Sequence, residues 1–367
     1  MTEREPLRRL LQRLELTGAL RTSAMEEALW RYPRQAFLPP SLQREGFRDR
    51  PLLLRDEKGE VYATALAPSE SVRALEVLEV ERGDEALLLG AGSGWEAALL
   101  SHLVGPRGRV VVVDPTPAGR YALSRWKALK VPVTLLRRWP RRPVQKAWVQ
   151  VPLWTFPWRQ KAWAQGARLL MPLHFFSPLQ GVYALWERGS RTWKTRAFID
   201  GMGDMAALRS WGRADHFEIK PGARVHAAAF PLTEQAKAWH LMRRPSWEGC
   251  PLLLRGRVTP PQWRGLFFWL LLHFPGEAAV EWPGPWVGWM NASGDGELLH
   301  PFGAMKVLGK ATGERLRQTI GRWVAAGKPP LERFRLTVPA DGCHQRMEVK
   351  VALWRPPHLG EGVPFDG

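Results

Sequence analysis

Hydrophobic positions along the chain change their period several times, and each change marks an element. Leu7, Leu10, Leu11 and Leu14 recur at helical spacing, which predicts an amphipathic helix over residues 5–17. Ser23-Ala-Met-Glu26 has the form of a capping box and predicts a short helix ending before Pro33. Residues 41–68 hold no sustained period and read as loop-rich, with RDRPLLL (48–54) as a short strand. Residues 71–80 read as a helix. The pattern then becomes a series of unbroken apolar runs. Residues 86–89 predict a buried strand, 95–104 a helix, GPRG a turn and RVVVVD (109–114) a second strand. Unbroken rather than alternating runs imply parallel strands covered on both faces. Strand, helix and strand within about 30 residues form a right-handed crossover unit.

The strands continue with VTLL (133–136), AWVQVPL (147–153) and RLLMPL (168–173), with a helix expected over 160–165. GVYALWER (181–188) and TWKTRAFI (192–199) read as paired strands that close the sheet. The pattern breaks around 201–214, GMGDMAALRSWGRA, which reads as a linker. Beyond it, residues 215–367 mix strands with helices over 260–273 and 313–326, the second stopped by Gly327 and Pro329. The expected organisation is an α/β fold. An N-terminal helical and loop cap (1–80) is followed by a Rossmann-like cofactor domain with helices on both faces (81–200). A linker (201–214) then leads to a C-terminal α+β domain (215–367).

Composition narrows this picture. No apolar run reaches the ~18 residues that span a bilayer, so no membrane association is expected. The N-terminal MTEREPLRRLLQRLEL is charged and lacks the apolar core of a signal peptide. The only cysteines are Cys250 and Cys343, which argues against a disulfide framework and for a reducing, cytoplasmic setting. The histidines show no metal-ligand spacing, so no metal is expected. The net charge is +18 and the chain carries 20 tryptophans. From Pro115 to Trp186 there is no Asp or Glu, while Arg120, Arg125, Lys127, Lys130, Arg137, Arg138, Arg141, Arg142, Lys146, Arg159, Lys161 and Arg168 fall in that stretch. A single-sign stretch repels itself unless an acidic partner binds it.

Two constellations carry candidate chemistry. In ALLLGAGSGWEAALL (86–100), Gly90, Gly92 and Gly94 let backbone amides approach a ligand at a helix N-terminus. Asp114 ends the following strand, where an acid accepts hydrogen bonds from ribose hydroxyls. These residues alone fit a dinucleotide or S-adenosylmethionine equally. The second constellation is RRWPRRP (137–143), in which Arg137, Arg138, Arg141 and Arg142 surround Trp139; Lys146, Arg159 and Lys161 follow among further tryptophans. Guanidiniums pair with phosphates and indoles stack on bases, so this face suits nucleic acid or an acidic protein.

AMEEALWRYPRQAFLPP (24–40), RDRPLLL, TALAP (64–68) and LLLGAGSGWEAALLSHLVGPRGRVVVVD (87–114) follow one another in an order that resembles protein-L-isoaspartate O-methyltransferases. GARLLMPL (166–173) resembles a later strand of that family, and the resemblance covers roughly residues 7–200. The tail resembles, weakly, the extra C-terminal domain of family members that modify ribosomally made peptides. The resemblance implies a methyltransferase sheet, S-adenosylmethionine as cofactor and an isoaspartyl or other protein carboxylate as substrate. It places Thr64 near the methyl-transfer site, the three glycines at the methionine end and Asp114 at the ribose. The chain departs from the pattern at Leu66, where a serine is expected, at Leu88, where an acid is expected, and at Arg137, where Asp is expected. Those departures motivate a second expectation: a catalytically inactive methyltransferase fold that binds nucleic acid or an acidic partner through its Arg/Trp-rich face.

Overall fold

The first helix, α1 (Arg4–Leu16), forms as its leucine spacing predicts and buries Leu7, Leu10, Leu11 and Leu14. A computed structural model describes residues 4–150, 163–172, 183–199, 216–220, 223–226, 246–247, 258–273, 278–282, 286–290, 295–299, 305–339 and 350–353. Helix α2 (Ser23–Arg31) is capped one residue earlier than the capping box suggests. Thr22 has extended backbone, and its hydroxyl accepts from the Met25 amide. Thr22 also donates through its amide and its hydroxyl to Glu76 Oε1, at 2.9 and 3.1 Å, which ties α2 to α3 (Pro68–Leu78). The loop-rich stretch holds an antiparallel hairpin, β1 (Leu52–Arg55) with β2 (Val61–Ala65), of which the sequence pattern disclosed only the first strand.

The main sheet uses β3 (Glu85–Leu89), β4 (Arg109–Val113), β5 (Val133–Leu136), β6 (Val144–Val149), β7 (Trp163–Pro172), β8 (Tyr183–Arg188), β9 (Thr192–Ile199) and, much later in the chain, β17 (Phe334–Pro339). Neighbouring strands run in the order β17-β9-β8-β7-β6-β3-β4-β5. From β5 to β7 the pairs are parallel, and β7 to β9 are antiparallel, the two closing strands pairing as expected. Thr337–Pro339 of β17 pair antiparallel with Thr192–Lys194 of β9. Helices α4 (Trp95–Val104) and α5 (Pro117–Ala128) follow β3 and β4. Ala86, Leu88, Val110 and Val112 share one apolar cluster with residues of α1 to α5. Leu87, Leu89, Val111 and Val113, which alternate with them, are equally buried, so both faces of these strands are covered.

Two expectations need correction. Trp163 to Gln165 are strand, not helix, because Trp163 pairs in register with Val144 at the start of β7; the rest of that expected helix lies outside the described residues. Strand β6 starts at Val144, ahead of the expected 147. Helix α5 was not anticipated. It is capped by Thr116, whose hydroxyl accepts from the Ala118 amide, and Pro117 supplies a preset first turn. The expected linker at 201–214 lies outside the described residues.

The chain divides into two compact units. The first comprises 1–173, 180–212 and 337–349; the second comprises 174–179, 213–336 and 350–367. The second holds an antiparallel sheet, ordered β10 (His216–Lys220), β11 (Ala223–His226), β13 (Ala278–Trp282), β14 (Trp286–Met290), β15 (Gly296–Leu299), β16 (Met305–Leu308) and β12 (Ser246–Trp247). The helices Pro260–His273 and Glu314–Ala325 accompany it. Buried Glu297 holds the start of the second helix by accepting from the Gly313 and Leu316 amides, at 2.7 Å each.

Candidate functional site

The loop between β3 and α4 lies at the carboxyl edge of the parallel strands, where open α/β sheets bind ligands. Gly90, Gly92 and Gly94 all take positive φ, at 92°, 52° and 88°, a conformation that favours glycine. The loop is closed from both neighbouring strands. The Gly90 amide donates to Val113 O at 3.0 Å, and the Gln150 amide, just past β6, donates to Leu89 O at 2.8 Å. Asp114 is buried. Its Oδ2 accepts from the Ala91 amide at 2.8 Å, and its Oδ1 accepts from the Thr116 amide and hydroxyl at 2.8 and 2.6 Å. Asp114 therefore joins the loop to the start of α5.

Thr64, from β2, meets this loop. A β-carbon placed at Gly92 would find Thr64 O at 3.2 Å, Gln150 Oε1 at 3.6 Å and Glu96 Oε2 at 3.7 Å. Three oxygens from three elements thus converge beside one glycine. Glu96, in the first turn of α4, is fully buried, and its Oε1 accepts from the Ser71 hydroxyl at 2.8 Å. Its Oε2, Thr64 Oγ1 and Gln150 Nε2 are buried without a hydrogen-bond partner among the described residues. Burial raises the Glu96 carboxyl above the ordinary range, and a hydrogen bond from its own backbone amide, the hydrogen bond from Ser71 and the charge of Arg34 oppose that shift.

Arg34 is itself buried. Its guanidinium donates to the carbonyls of Arg48, Arg50, Ala65 and Leu66 and lies 6.0 Å from the Trp95 ring. Burial lowers it to about 10, against the pull of Glu96, Asp49 and Glu70. It pins the segment that carries Thr64 and Leu66 to the loop system. Leu66 and Leu88 are both buried in the main apolar cluster.

The structure therefore brings together Thr64, Gly90, Gly92, Gly94 and Asp114, all singled out from the sequence. It adds Ser71, Glu96, Gln150 and Arg34, which were missed. Two of these left a trace: Gln150 is the polar residue ending an apolar strand, and Glu96 is the lone acid in the helix WEAALLSHLV.

The structure describes only part of the Arg/Trp-rich stretch. Arg137, Arg138, Arg141 and Arg142 are exposed. Trp139 instead packs edge-on against Trp163, at 5.5 Å between ring centroids, so it is a packing residue rather than a free stacking platform. Lys146 donates to Glu79 O at 2.7 Å. Arg159 and Lys161 lie outside the described residues.

The description Protein-L-isoaspartate(D-aspartate) O-methyltransferase (PCMT) is the family model that this chain matches, over residues 5–120. The first unit resembles the protein-L-isoaspartate O-methyltransferases. An enzyme of that name from Aeropyrum pernix is 36% identical over 114 residues, which cover 31% of this chain and 42% of the relative. One from Ignicoccus hospitalis is 33% identical over 126 residues, 34% of this chain and 57% of the relative. The chain thus spans about half the length of these relatives, between 42% and 57%. A solved protein-L-isoaspartate O-methyltransferase superposes with a TM-score of 0.50 at 18% identity, covering 94% of this chain and 98% of its own. That likeness shows the fold, a Rossmann-like methyltransferase sheet. The segment matching this family contains Thr64, the glycine loop, Glu96 and Asp114. Gln150 lies beyond it. Among the described residues, no helix is long and apolar enough to cross a membrane.

Proposed function

We propose that the first unit is an S-adenosylmethionine-dependent methyltransferase acting on a protein carboxylate of the isoaspartyl type. The observation that carries this reading is the positive-φ glycine loop at the carboxyl edge of the parallel sheet, set within the segment that matches the family. The unpartnered Glu96 Oε2, Gln150 Nε2 and Thr64 Oγ1 beside that loop fit a polar ligand. S-adenosylmethionine, when bound, supplies an electrophilic methyl group. The glycines open the approach to its methionine end. Asp114 has three of a carboxylate's roughly four acceptor positions occupied, leaving one on Oδ2 for a ribose hydroxyl. The Thr64 hydroxyl, buried and unpartnered, is the candidate to orient the substrate carboxylate in place of Leu66, which cannot hydrogen-bond.

Calorimetric titration with S-adenosylhomocysteine tests the cofactor assignment. Micromolar binding is expected, followed by methyl transfer to an isoaspartyl peptide and not to its aspartyl counterpart. Absence of binding at millimolar ligand overturns the assignment.

A second reading rests on the four exposed arginines of one short connection. In it the chain is an inactive relative that holds nucleic acid or an acidic protein through Arg137, Arg138, Arg141 and Arg142. Binding of a single-stranded oligonucleotide would then fall steeply with salt and vanish when all four are changed to Glu. Binding indifferent to salt, or unaffected by those changes, overturns it.

A further inference from the structure

We propose that Glu96 is the counter-charge for the ammonium group at the amino-acid end of the ligand, which it holds together with Thr64 O and Gln150 Oε1 beside Gly92. The inference rests on the S-adenosylmethionine reading and assigns a residue that the family resemblance does not. An ionised carboxylate taken out of water is costly unless it is paired. Glu96 is completely buried; the Ser71 hydroxyl donates to its Oε1, while its Oε2 has no hydrogen-bond partner among the described residues. A glutamate in the first turn of a helix does gain from the helix dipole, but it gains that equally well on the surface. Full burial with an unpartnered oxygen calls for another explanation. The nearby cation, Arg34, offsets part of that cost through its charge, but its donated hydrogen bonds go to backbone carbonyls and leave Oε2 without a donor.

The convergent atoms define the chemistry of the missing partner. Three acceptor oxygens, one of them from a carboxyl group, lie beside Gly92. An ammonium offers three donors and one positive charge. A divalent metal takes six or more oxygens, and these residues supply three, with a single carboxyl among them. Leu88, where the resembling family carries its acid, is sealed in the apolar core. Glycine at 92 keeps the approach open, since any β-carbon there would sit among the three oxygens.

The test uses the full chain and two ligands, S-adenosylhomocysteine and its desamino analogue, in which hydrogen replaces the amino group. Calorimetry is run on the native protein and on Glu96→Gln. The native protein should prefer the amino-bearing ligand by about ten- to a hundredfold, the size of one hydrogen bond to a charged group. Glu96→Gln should lose most of that preference by weakening S-adenosylhomocysteine alone. Thermal unfolding checks that the variant folds. If it does not, Glu96→Asp, which keeps the charge but withdraws it by one methylene, should also reduce the preference. A native protein that binds both ligands equally, or variants that keep the full preference, overturns the assignment of Glu96 and leaves the cofactor reading standing. A native protein that binds neither ligand overturns both.

Discussion

Gly94 has no room for a side chain. A β-carbon there would meet Trp126 Nε1 at 2.9 Å and Ala122 Cβ at 3.0 Å, and φ is +88°. Gly18 shares the positive φ, at +68°, but faces nothing within 4 Å. Gly18→Ala should therefore cost only the conformational penalty, about 1–2 kcal/mol. Gly94→Ala adds overpacking and should cost about 2–5 kcal/mol in urea unfolding. Equal costs would show that the contacts of Gly94 do not constrain it. Glu96 makes a second prediction at this scale. Because burial raises its carboxyl pKa, the folded chain binds more protons than the unfolded chain above the ordinary carboxylate range. Stability is then lost as pH rises through that window, and Glu96→Gln removes the loss. The variant should melt higher than the native protein at pH 7, with the difference closing near pH ~4; each kcal/mol is worth about 2–4 °C in a unit of this size. A difference that does not change with pH would mean that the Glu96 carboxyl titrates alike in the folded and unfolded chain.

The connection from β5 to β6 is unusually short for parallel strands, which ordinarily need a crossover of a dozen or more residues. Leu136 lies level with Val149, three strands away, through the registers Val113 with Leu136, Leu89 with Val113 and Leu89 with Val149. The chain must travel roughly 14 Å across the sheet and roughly 17 Å back along it, a diagonal of about 22 Å. From Leu136 to Val144 it has a reach of roughly 27 Å when fully extended. No helix fits in that span. Deleting Arg138 should lower the melting temperature markedly, whereas inserting two glycines should cost under about 1 kcal/mol, because loop closure depends only weakly on length. Equal tolerance of both changes would mean that the connection is slack. Much at this scale was legible in the sequence. Leucine spacing disclosed α1, and unbroken apolar runs disclosed β3 and β4. Helix α5 was not legible, because PAGRYALSRWKA buries only Ala118, Gly119, Ala122 and Trp126 and carries no strong stripe. The start of β6 was obscured by Gln145 and Lys146, whose side chains reach Glu85 and Glu79 instead of packing inward. The glycines, Thr64 and Asp114 could be located because spacing along the chain defined them. Glu96 and Gln150 could not, because their meaning lies in the approach of α4, β2 and β6 to one point.

Across the whole molecule, the pairing of Thr337–Pro339 with Thr192–Lys194 has a consequence for synthesis. The ribosome delivers the glycine loop and most of its sheet early, but β9 receives this neighbour only after roughly 140 further residues. At about 5–20 residues per second, that leaves an unsatisfied strand edge for roughly 7–28 s. Such an edge invites pairing with other chains. Nascent chains stalled before Thr337 should therefore be more prone to aggregation and proteolysis than chains stalled late enough to present Pro339. The first unit can begin folding well before its sheet is complete, because the Thr337–Pro339 strand follows only after residues 213–336 have been made.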